Sequence, residues 1–416
     1  MKLFSLLTAL CVSHAVHAAP MGDGLKDLFG PDIVTLTLES LEARRLQEGA
    51  PAQSPWSDSF WPLAKGGIAQ RWMDPQFPNS SDWKKNADYV RVHSAADLVR
   101  DGRTDVLSPA EKYDLLVGDS AGQLAQEVWR QGERHYETTG KVPGWAGQSH
   151  GWATASSLYA EPKRAVTLTS ADGVAVTFYP SDIKALASQL AGEASGRVAF
   201  LGRRCNIEKP AVTPDGRIVD EACFDVNPAE FHLLLAERVG AQKSGLLFDL
   251  VYDLQVWNYP ISSYAYRYVN LKTGQRVGSV NEARVALGSI VDPYAQYRSP
   301  DAVDVVGIEL DLTYAETTTP SAKAAPVRLK TVRLVYDLEL RANGTIAGGE
   351  WRSKAHPDFA WFTKARPTSA EDAGLRGGDW VPGAPFPREW TPAAQKASSR
   401  LTPLATVVER LIEESR

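Results

Sequence analysis

The stretch Val306-Gly-Ile-Glu-Leu-Asp-Leu-Thr-Tyr314 alternates apolar and polar side chains over its whole length. Alternation with a period of two is the pattern of a β-strand with one buried face. Residues 332–340 repeat the pattern. They are followed by Asn343-Gly344, a pair that favours a tight turn. A further strand is predicted over 246–257. Because the helical patterns lie mostly earlier in the chain, the sequence predicts an α+β fold with an antiparallel sheet.

Two earlier segments carry the residues that start helices. Ser108-Pro-Ala-Glu111 is a capping box with proline at the first helical position. Its helix is predicted to break near Gly118, to resume, and to end before Gly132. Asn227-Pro-Ala-Glu230 repeats this chemistry, and Gly240 is predicted to close the second helix.

The N-terminus has the features of a signal peptide. Lys2 precedes a short apolar run over 3–12, and small residues lead up to Ala19. The run is too short to anchor the chain in a bilayer, and no other segment is apolar enough. We therefore expect a secreted or periplasmic protein without a membrane anchor.

The rest of the chain is predicted to divide into three parts. Residues 19–104 form an N-terminal extension packed on the core, 105–365 form the core, and 366–416 form a Pro/Gly-rich arm. The arm ends in an amphipathic helix capped by Thr402.

Charge and motifs limit the partners. Forty-five basic residues face 50 acidic ones, a formal net charge of −5, and loss of Lys2 with the signal peptide makes it −6. A mildly acidic, well-mixed chain has no electrostatic footprint for nucleic acid. Neither metal-ligand spacing nor a phosphate-binding loop occurs, so no cofactor and no metal are expected.

Cys205 and Cys223 are the two cysteines that remain after the signal peptide. An even pair in an exported chain indicates a disulfide, which would stabilise the fold by roughly 3 kcal/mol. The alternative is a free or catalytic thiol, but no histidine lies beside either residue in sequence.

A candidate nucleophile lies in the segment Gly144-Trp-Ala-Gly-Gln-Ser-His-Gly-Trp-Ala-Thr-Ala155. A helix is predicted to start near Gln148, which puts Ser149 in the positive potential of a helix N-terminus. The backbone N–H groups of Ser149 and Gln148 could then hold an oxyanion. His150 is a poor base, because adjacent helical residues point about 100° apart. The alternative reading of this segment is tight packing only.

His232 and Asp249 are the candidate base and its supporting carboxylate. In the predicted strand, Asp249 lies on a partly buried face and needs a partner. A buried carboxylate that orients an imidazole is the supporting half of a catalytic triad. Asp253, on the same face, competes for this role, and a hydrogen-bonded core histidine is the alternative for His232.

Several motifs resemble the transglutaminase elicitor family of oomycetes and its bacterial relatives, in order over about 105–365. They are Ser-Pro-Ala-Glu-Lys-Tyr-Asp at 108–114, Trp145 to Ala155, Cys223 to His232, Val256-Trp-Asn-Tyr-Pro260, and Gly348 to Trp351 with His356-Pro-Asp-Phe359. The resemblance implies a papain-like or transglutaminase-like core with the nucleophile on a helix. It also implies γ-glutamyl transfer, in which a cysteine attacks a glutamine side chain of a protein or peptide and an amine takes the acyl group.

The resemblance also implies roles for individual residues. Ser149, His232 and Asp249 match the catalytic positions, and Cys205 and Cys223 match a disulfide. The predicted substrate groove and near-site candidates are Trp145, Gln148, Trp152, Trp257 and Asn258, with Trp351 and His356 either near the site or structural.

The chain departs from the family pattern at the nucleophile, where Ser149 replaces a cysteine. An engineered Cys→Ser change, a natural serine variant and a retired enzyme that only binds are the three explanations. The sequence therefore predicts a transglutaminase-like protein with reduced or absent activity. The alternatives are a silent peptide- or cell-wall-binding protein and a peptidase-like hydrolase.

Overall fold

A computed structural model describes residues 21–22, 24–194, 196, 198–207, 209–214, 217–250, 255–375 and 379–416. The predicted signal peptide, 1–18, and Asp253 lie outside the described residues.

The α-helices are short and concentrated in the first two thirds of the chain. They are α1 (Gly24–Phe29), α2 (Leu38–Ala43), α3 (Trp83–Val92), α4 (Ala95–Arg100), α5 (Pro109–Leu116), α6 (Gln123–Thr139), α7 (Ser149–Leu158), α8 (Pro180–Glu193), α9 (Pro228–Leu234), α10 (Val280–Ala283), α11 (Thr391–Ser398) and α12 (Ala405–Glu414). Helix α9 continues as one π-helical stretch, Leu235–Ala241.

The strands are antiparallel to their neighbours. They are β1 (Glu48–Gly49), β2 (Val166–Thr169), β3 (Ala175–Phe178), β4 (Val198–Gly202), β5 (Leu247–Asp249), β6 (Tyr259–Asn270), β7 (Gln275–Val277), β8 (Val285–Ala286), β9 (Ala302–Ala315), β10 (Leu329–Arg341), β11 (Ile346–Trp351) and β12 (Phe359–Thr363).

The main sheet runs in the order β11-β10-β9-β6-β5-β12-β4, with the short strands β1, β7 and β8 added to β6 and β9. Strands β9 and β10 contain the two alternating stretches and pair along their whole length. The mixed helical and antiparallel class predicted from the sequence is confirmed.

The strand predicted over 246–257 is wrong in its extent. Strand β5 ends at Asp249, and the next strand begins only at Tyr259. The side chain of Asp249 accepts a hydrogen bond from the backbone N–H of Trp257 at 3.1 Å. This bond places the backbone of Trp257 at the end of β5, a contact that alternation alone does not reveal.

Two predicted helix boundaries also differ. Helix α6 continues past Gly132 to Thr139. Gly132 serves close packing and does not end the helix, since a Cβ there would lie 2.4 Å from the Trp83 indole nitrogen of α3. Thr402 does not cap the last helix. Its hydroxyl donates to the Ala397 carbonyl, and α12 begins at Ala405.

Buried side chains form two large cores on opposite faces of the β5-β12 part of the sheet. Leu247 and Trp361 belong to the core that contains α7 and α8. Phe248 and Ala360, the alternate residues on the same strands, belong to the core under α9 and the long strands. The first core also includes Trp56 from the predicted N-terminal extension and α11 and α12 from the predicted arm.

The predicted disulfide is present between Cys205 and Cys223. In the described part of the chain, no helix is long and apolar enough to cross a membrane.

Candidate active site

Ser149 is the first residue of α7, and its side chain is buried. Two glycines allow this placement. A Cβ at Gly147 would lie 2.6 Å from the Phe60 carbonyl oxygen, and one at Gly151 would lie 2.1 Å from that of Ser188. The helix start is therefore held between the chain at Phe60 and helix α8, as the Gly-rich segment suggested.

Asn258 connects Ser149 to the sheet. Its side-chain nitrogen lies 3.2 Å from the Ser149 hydroxyl, and its side-chain oxygen accepts from the Trp361 indole N–H at 2.8 Å. An indole N–H can only donate, so Trp361 orients the Asn258 amide with its NH₂ group toward Ser149. The Ser149 oxygen is consequently an acceptor in this contact.

Gln148 contributes less to an oxyanion site than predicted. Its backbone N–H donates to the Phe60 carbonyl at 2.6 Å and is already used. Its side chain donates to Glu193 at 2.9 Å. The helix N-terminus at Ser149 and the Asn258 amide remain as the groups that favour negative charge at this position.

Asp249 lies at the end of β5, opposite Phe359 of β12. Side chains alternate along a strand, so Asp249 shares the face of Leu247, which is the face on which α7 packs. The pairing of Phe248 with Tyr259 brings the end of β5 next to Asn258. Asp249 is thus buried on the Ser149 side of the sheet and holds the backbone of Trp257.

His232 lies elsewhere. Its Nδ1 is 2.8 Å from the Tyr336 hydroxyl and its ring contacts that of Tyr266, both in the core under α9. Tyr266 is eight residues along β6 from Asn258, about 26 Å at 3.3 Å per residue. In the described structure the contacts of His232 are thus to Tyr336 and Tyr266, and no hydrogen bond joins it to Ser149 or to Asp249.

Burial lowers the pKa of His232 to about 3, so its ring is neutral at ordinary pH. The reading of this residue as a hydrogen-bonded core histidine fits the geometry. Burial also lowers the pKa of His150, which lies beside Gly192 and Glu193 of α8.

The predicted groove residues divide into two groups. Trp257 is half-buried and packs edge-on against Phe60, with ring centroids 5.1 Å apart, and Trp145 is also half-buried. Trp152 has no exposed surface, and its indole N–H donates to the Trp56 carbonyl. Trp152 is a core residue and cannot line an open groove.

Trp351 and His356 form a separate buried cluster. Their rings stack at 5.3 Å, and the His356 Nε2 lies 2.8 Å from the Asp225 carboxylate. The Trp351 indole N–H donates to the Val226 carbonyl. These contacts join the segment that follows Cys223 to β11 and to the chain before β12.

Sequence reasoning did not identify Trp361 or Phe60 as site residues. Trp361 stands in the apolar strand Phe-Ala-Trp-Phe-Thr directly after the His356-Pro-Asp-Phe359 motif, which was the available signal. Phe60 lies in a segment rich in Pro, Ser and Trp over 51–83, and nothing in its local sequence points to α7.

The described residues contain no group of three or more His, Cys, Asp or Glu side chains placed to hold a metal ion. The arrangement instead offers a hydroxyl at a helix N-terminus, an amide donor fixed by an indole, a buried carboxylate at the neighbouring strand end and two aromatic side chains.

Helix-borne Ser149 thus lies against the ends of antiparallel strands in a mixed α and β protein. The transglutaminase elicitor family model matches residues 24–376, and the chain belongs to this family. A search of curated proteins found no match. Among solved structures, the chain is similar to the GP42 transglutaminase from Phytophthora sojae, with a TM-score of 0.58 and 19% identity over 95% of this chain and 99% of that one. At this identity the likeness shows a shared fold.

Proposed function

We propose that this chain is an exported transglutaminase-like protein with a papain-like core, whose site for γ-glutamyl transfer is retained but carries a weak nucleophile. The observation that supports it is the contact between Ser149 at the start of α7 and the Asn258 amide oriented by Trp361. This environment stabilises a negatively charged atom at position 149, which is what a reactive thiolate needs.

The chemistry of the site depends on the atom at position 149. A thiolate there would attack the carbon of a glutamine side-chain amide and form a thioester. The leaving NH₂ group would take up the proton that the thiol had lost and depart as ammonia. An amine would then attack the thioester, form an amide with the acyl group and regenerate the thiol.

Serine serves this chemistry poorly. Its hydroxyl has a far higher pKa than a thiol and needs a base in hydrogen-bond contact. Among the described residues, the side-chain contact of the Ser149 oxygen is to a donor, Asn258, and no histidine is placed to accept its proton. Asp249 acts in this proposal as a positioning residue, because it holds the backbone that carries Trp257 and Asn258.

The test compares the chain with Ser149→Cys, incubated with a glutamine peptide and an isotopically labelled amine. Ammonia release and mass spectrometry follow the two half-reactions. Peptide with a glutamate in place of the glutamine reports hydrolysis, and peptide carrying the labelled amine reports transfer. Ser157→Cys is the matched control, because it adds a half-buried thiol to the same helix away from its N-terminus. We expect robust transfer only from the Ser149→Cys variant. Equal and robust transfer by the unchanged chain would contradict the proposal.

A second candidate is a binding protein without turnover. In the described structure the Ser149 hydroxyl is hydrogen-bonded to the Asn258 amide and not to a histidine or a carboxylate, which favours it. Binding of a glutamine peptide that gives no product even after Ser149→Cys would support this candidate.

A further inference from the structure

Strand β4 is the outer strand of the sheet and, in the part of the chain that the structure describes, pairs only with β12. Phe200 and Val198 on this strand are apolar yet 43% and 54% exposed. An unpaired strand edge with exposed apolar side chains is a site where an extended peptide can add to a sheet.

The exposed side chains of Val198 and Phe200 form an apolar strip that adjoins the candidate active site. Phe200 pairs directly with Trp361, so the two side chains lie on the same face. Its ring also stacks on Phe359 at 4.8 Å. Trp361 donates to Asn258, and Asn258 contacts Ser149. Two residues therefore separate the strip from the nucleophile position.

Positive charge borders both ends of the strip. Arg203 and Arg204 follow β4 directly and are exposed. Lys364 is exposed and follows Thr363, which pairs with Val198 at the other end. In the described structure no carboxylate pairs with any of these three cations. In a chain with an excess of acidic residues, unpaired cations at both ends of one apolar strand favour an acidic partner.

We propose that the β4 edge binds an extended acidic peptide with an apolar centre, and that this peptide belongs to the acyl donor. The part concerning the acyl donor rests on the proposed function. Strand β4 spans about 13 Å between Val198 and Gly202 at 3.3 Å per residue, so the peptide covers about five residues between its acidic ends.

Binding is measured by fluorescence anisotropy with the unchanged chain, which keeps turnover out of the assay. The probe is a labelled, end-blocked glutamine peptide with an apolar centre and two acidic residues at each end. A second probe carries lysines in place of the acids. We expect at least about fivefold weaker binding of the lysine probe, a difference that shrinks in high salt. Equal binding of the two probes would overturn the charge argument.

Variants of the strip locate the binding site. Arg203→Glu with Arg204→Glu should weaken acidic-probe binding at least about fivefold. Lys85→Glu with Lys272→Glu changes the net charge equally at exposed positions elsewhere and should leave binding within about twofold. Phe200→Ser should weaken binding about tenfold through lost apolar contact, with circular dichroism to confirm folding. If both charge pairs have the same effect, the site is not at β4.

Strand pairing is tested without altering the protein. Probes are N-methylated at alternate residues, which removes one set of backbone donors at a time. Addition to the β4 edge predicts that one set abolishes binding and the other is tolerated. Binding indifferent to both sets would refute an added strand.

A minimal donor separates docking at β4 from the chemistry at position 149. In the Ser149→Cys background, amine transfer to a minimal donor such as benzyloxycarbonyl-glutaminyl-glycine reports the chemistry alone. Transfer to that donor, with no preference for the acidic peptide, would reject the docking strip and leave the proposed function standing. Strip-dependent peptide binding without transfer to any donor would reject the chemistry and keep the docking surface.

Discussion

The orientation of the Asn258 amide can be tested by replacing Trp361 with phenylalanine. The substitution keeps an aromatic ring in β12 but removes the indole N–H that donates to Asn258 at 2.8 Å. Asn258 and Trp361 are 5% and 9% exposed, so water cannot readily replace the lost donor. A buried acceptor left without its partner costs about 1–3 kcal/mol of the free energy of unfolding.

The smaller ring also leaves a gap, and a double-mutant cycle separates the two effects. The free energies of unfolding of Trp361→Phe, Asn258→Ala and the double variant are measured by urea denaturation followed by far-ultraviolet circular dichroism. The coupling energy isolates the hydrogen bond, and we expect about 1–2 kcal/mol. Trp257→Phe is the control, because its indole N–H donates to the exposed Gln255, and it should cost about 0.5 kcal/mol or less.

The same substitution should alter the reactivity of a thiol at position 149. In Ser149→Cys the Asn258 amide can donate to the thiolate, and a hydrogen bond to a charged group contributes about 1.5–3 kcal/mol. Losing that orientation raises the pKa of the thiol, so alkylation by iodoacetamide at pH 6 should slow about tenfold.

Two results would refute this reasoning. One is a coupling energy near zero between Trp361 and Asn258. The other is an alkylation rate of the Ser149→Cys variant that Trp361→Phe leaves unchanged while Asn258→Ala lowers it, since the indole would then have no part in aiming the amide.

Three further predictions concern stability. His232 has a pKa of about 3 in the folded protein and 6.5 ordinarily, so the unfolded state binds an extra proton between these values. The free energy of unfolding should therefore fall as pH drops from about 6 to 3, by up to about 1.4 kcal/mol per pH unit. His232→Phe should flatten this part of the pH–stability curve, and an unchanged slope would count against the prediction. Burial raises the pKa of Asp58 to about 7 from 3.8, so the folded state binds an extra proton between these values. The free energy of unfolding should therefore fall as pH rises from about 4 to 7. Asp58→Asn should remove this fall in denaturation measured at pH 4 and pH 8, and a fall that persists would contradict the assignment. Gly151→Ala should destabilise the protein by about 1–3 kcal/mol, because its Cβ would lie 2.1 Å from the Ser188 carbonyl oxygen. The better helix propensity of alanine is too small to offset this clash. A higher thermal midpoint for this variant would show that α7 and α8 separate freely.

Local chemistry made several elements predictable. The alternation at 306–314 and 332–340 became β9 and β10, and the capping box at Ser108 became the start of α5. Gly132 misled the prediction of α6, because its reason for being glycine is contact with Trp83 from another helix. A glycine that permits close packing and one that ends a helix look the same in sequence.

The site shows the same division. The glycine-rich helix start predicts Ser149 as a candidate, and a short motif predicts Asn258. The logic of a triad joins His232 to Asp249 in the prediction. In the structure, strand alternation places Asp249 on the face of α7, whereas His232 contacts Tyr336 and Tyr266 in the core under α9.

The sequence by itself determined where several helices begin, α5 and α9 among them, which strands have one buried face, and which residue stands at the candidate nucleophile position. These features depend on neighbours within a few residues. Tertiary structure alone decided what contacts that position. Ser149, Asn258 and Trp361 are more than 100 residues apart in succession, and the sheet order that brings β6, β5 and β12 to the start of α7 is set by the packing of two cores. No local pattern encodes which face of that sheet each side chain meets, so only the fold could place an amide donor, and not an imidazole, beside Ser149.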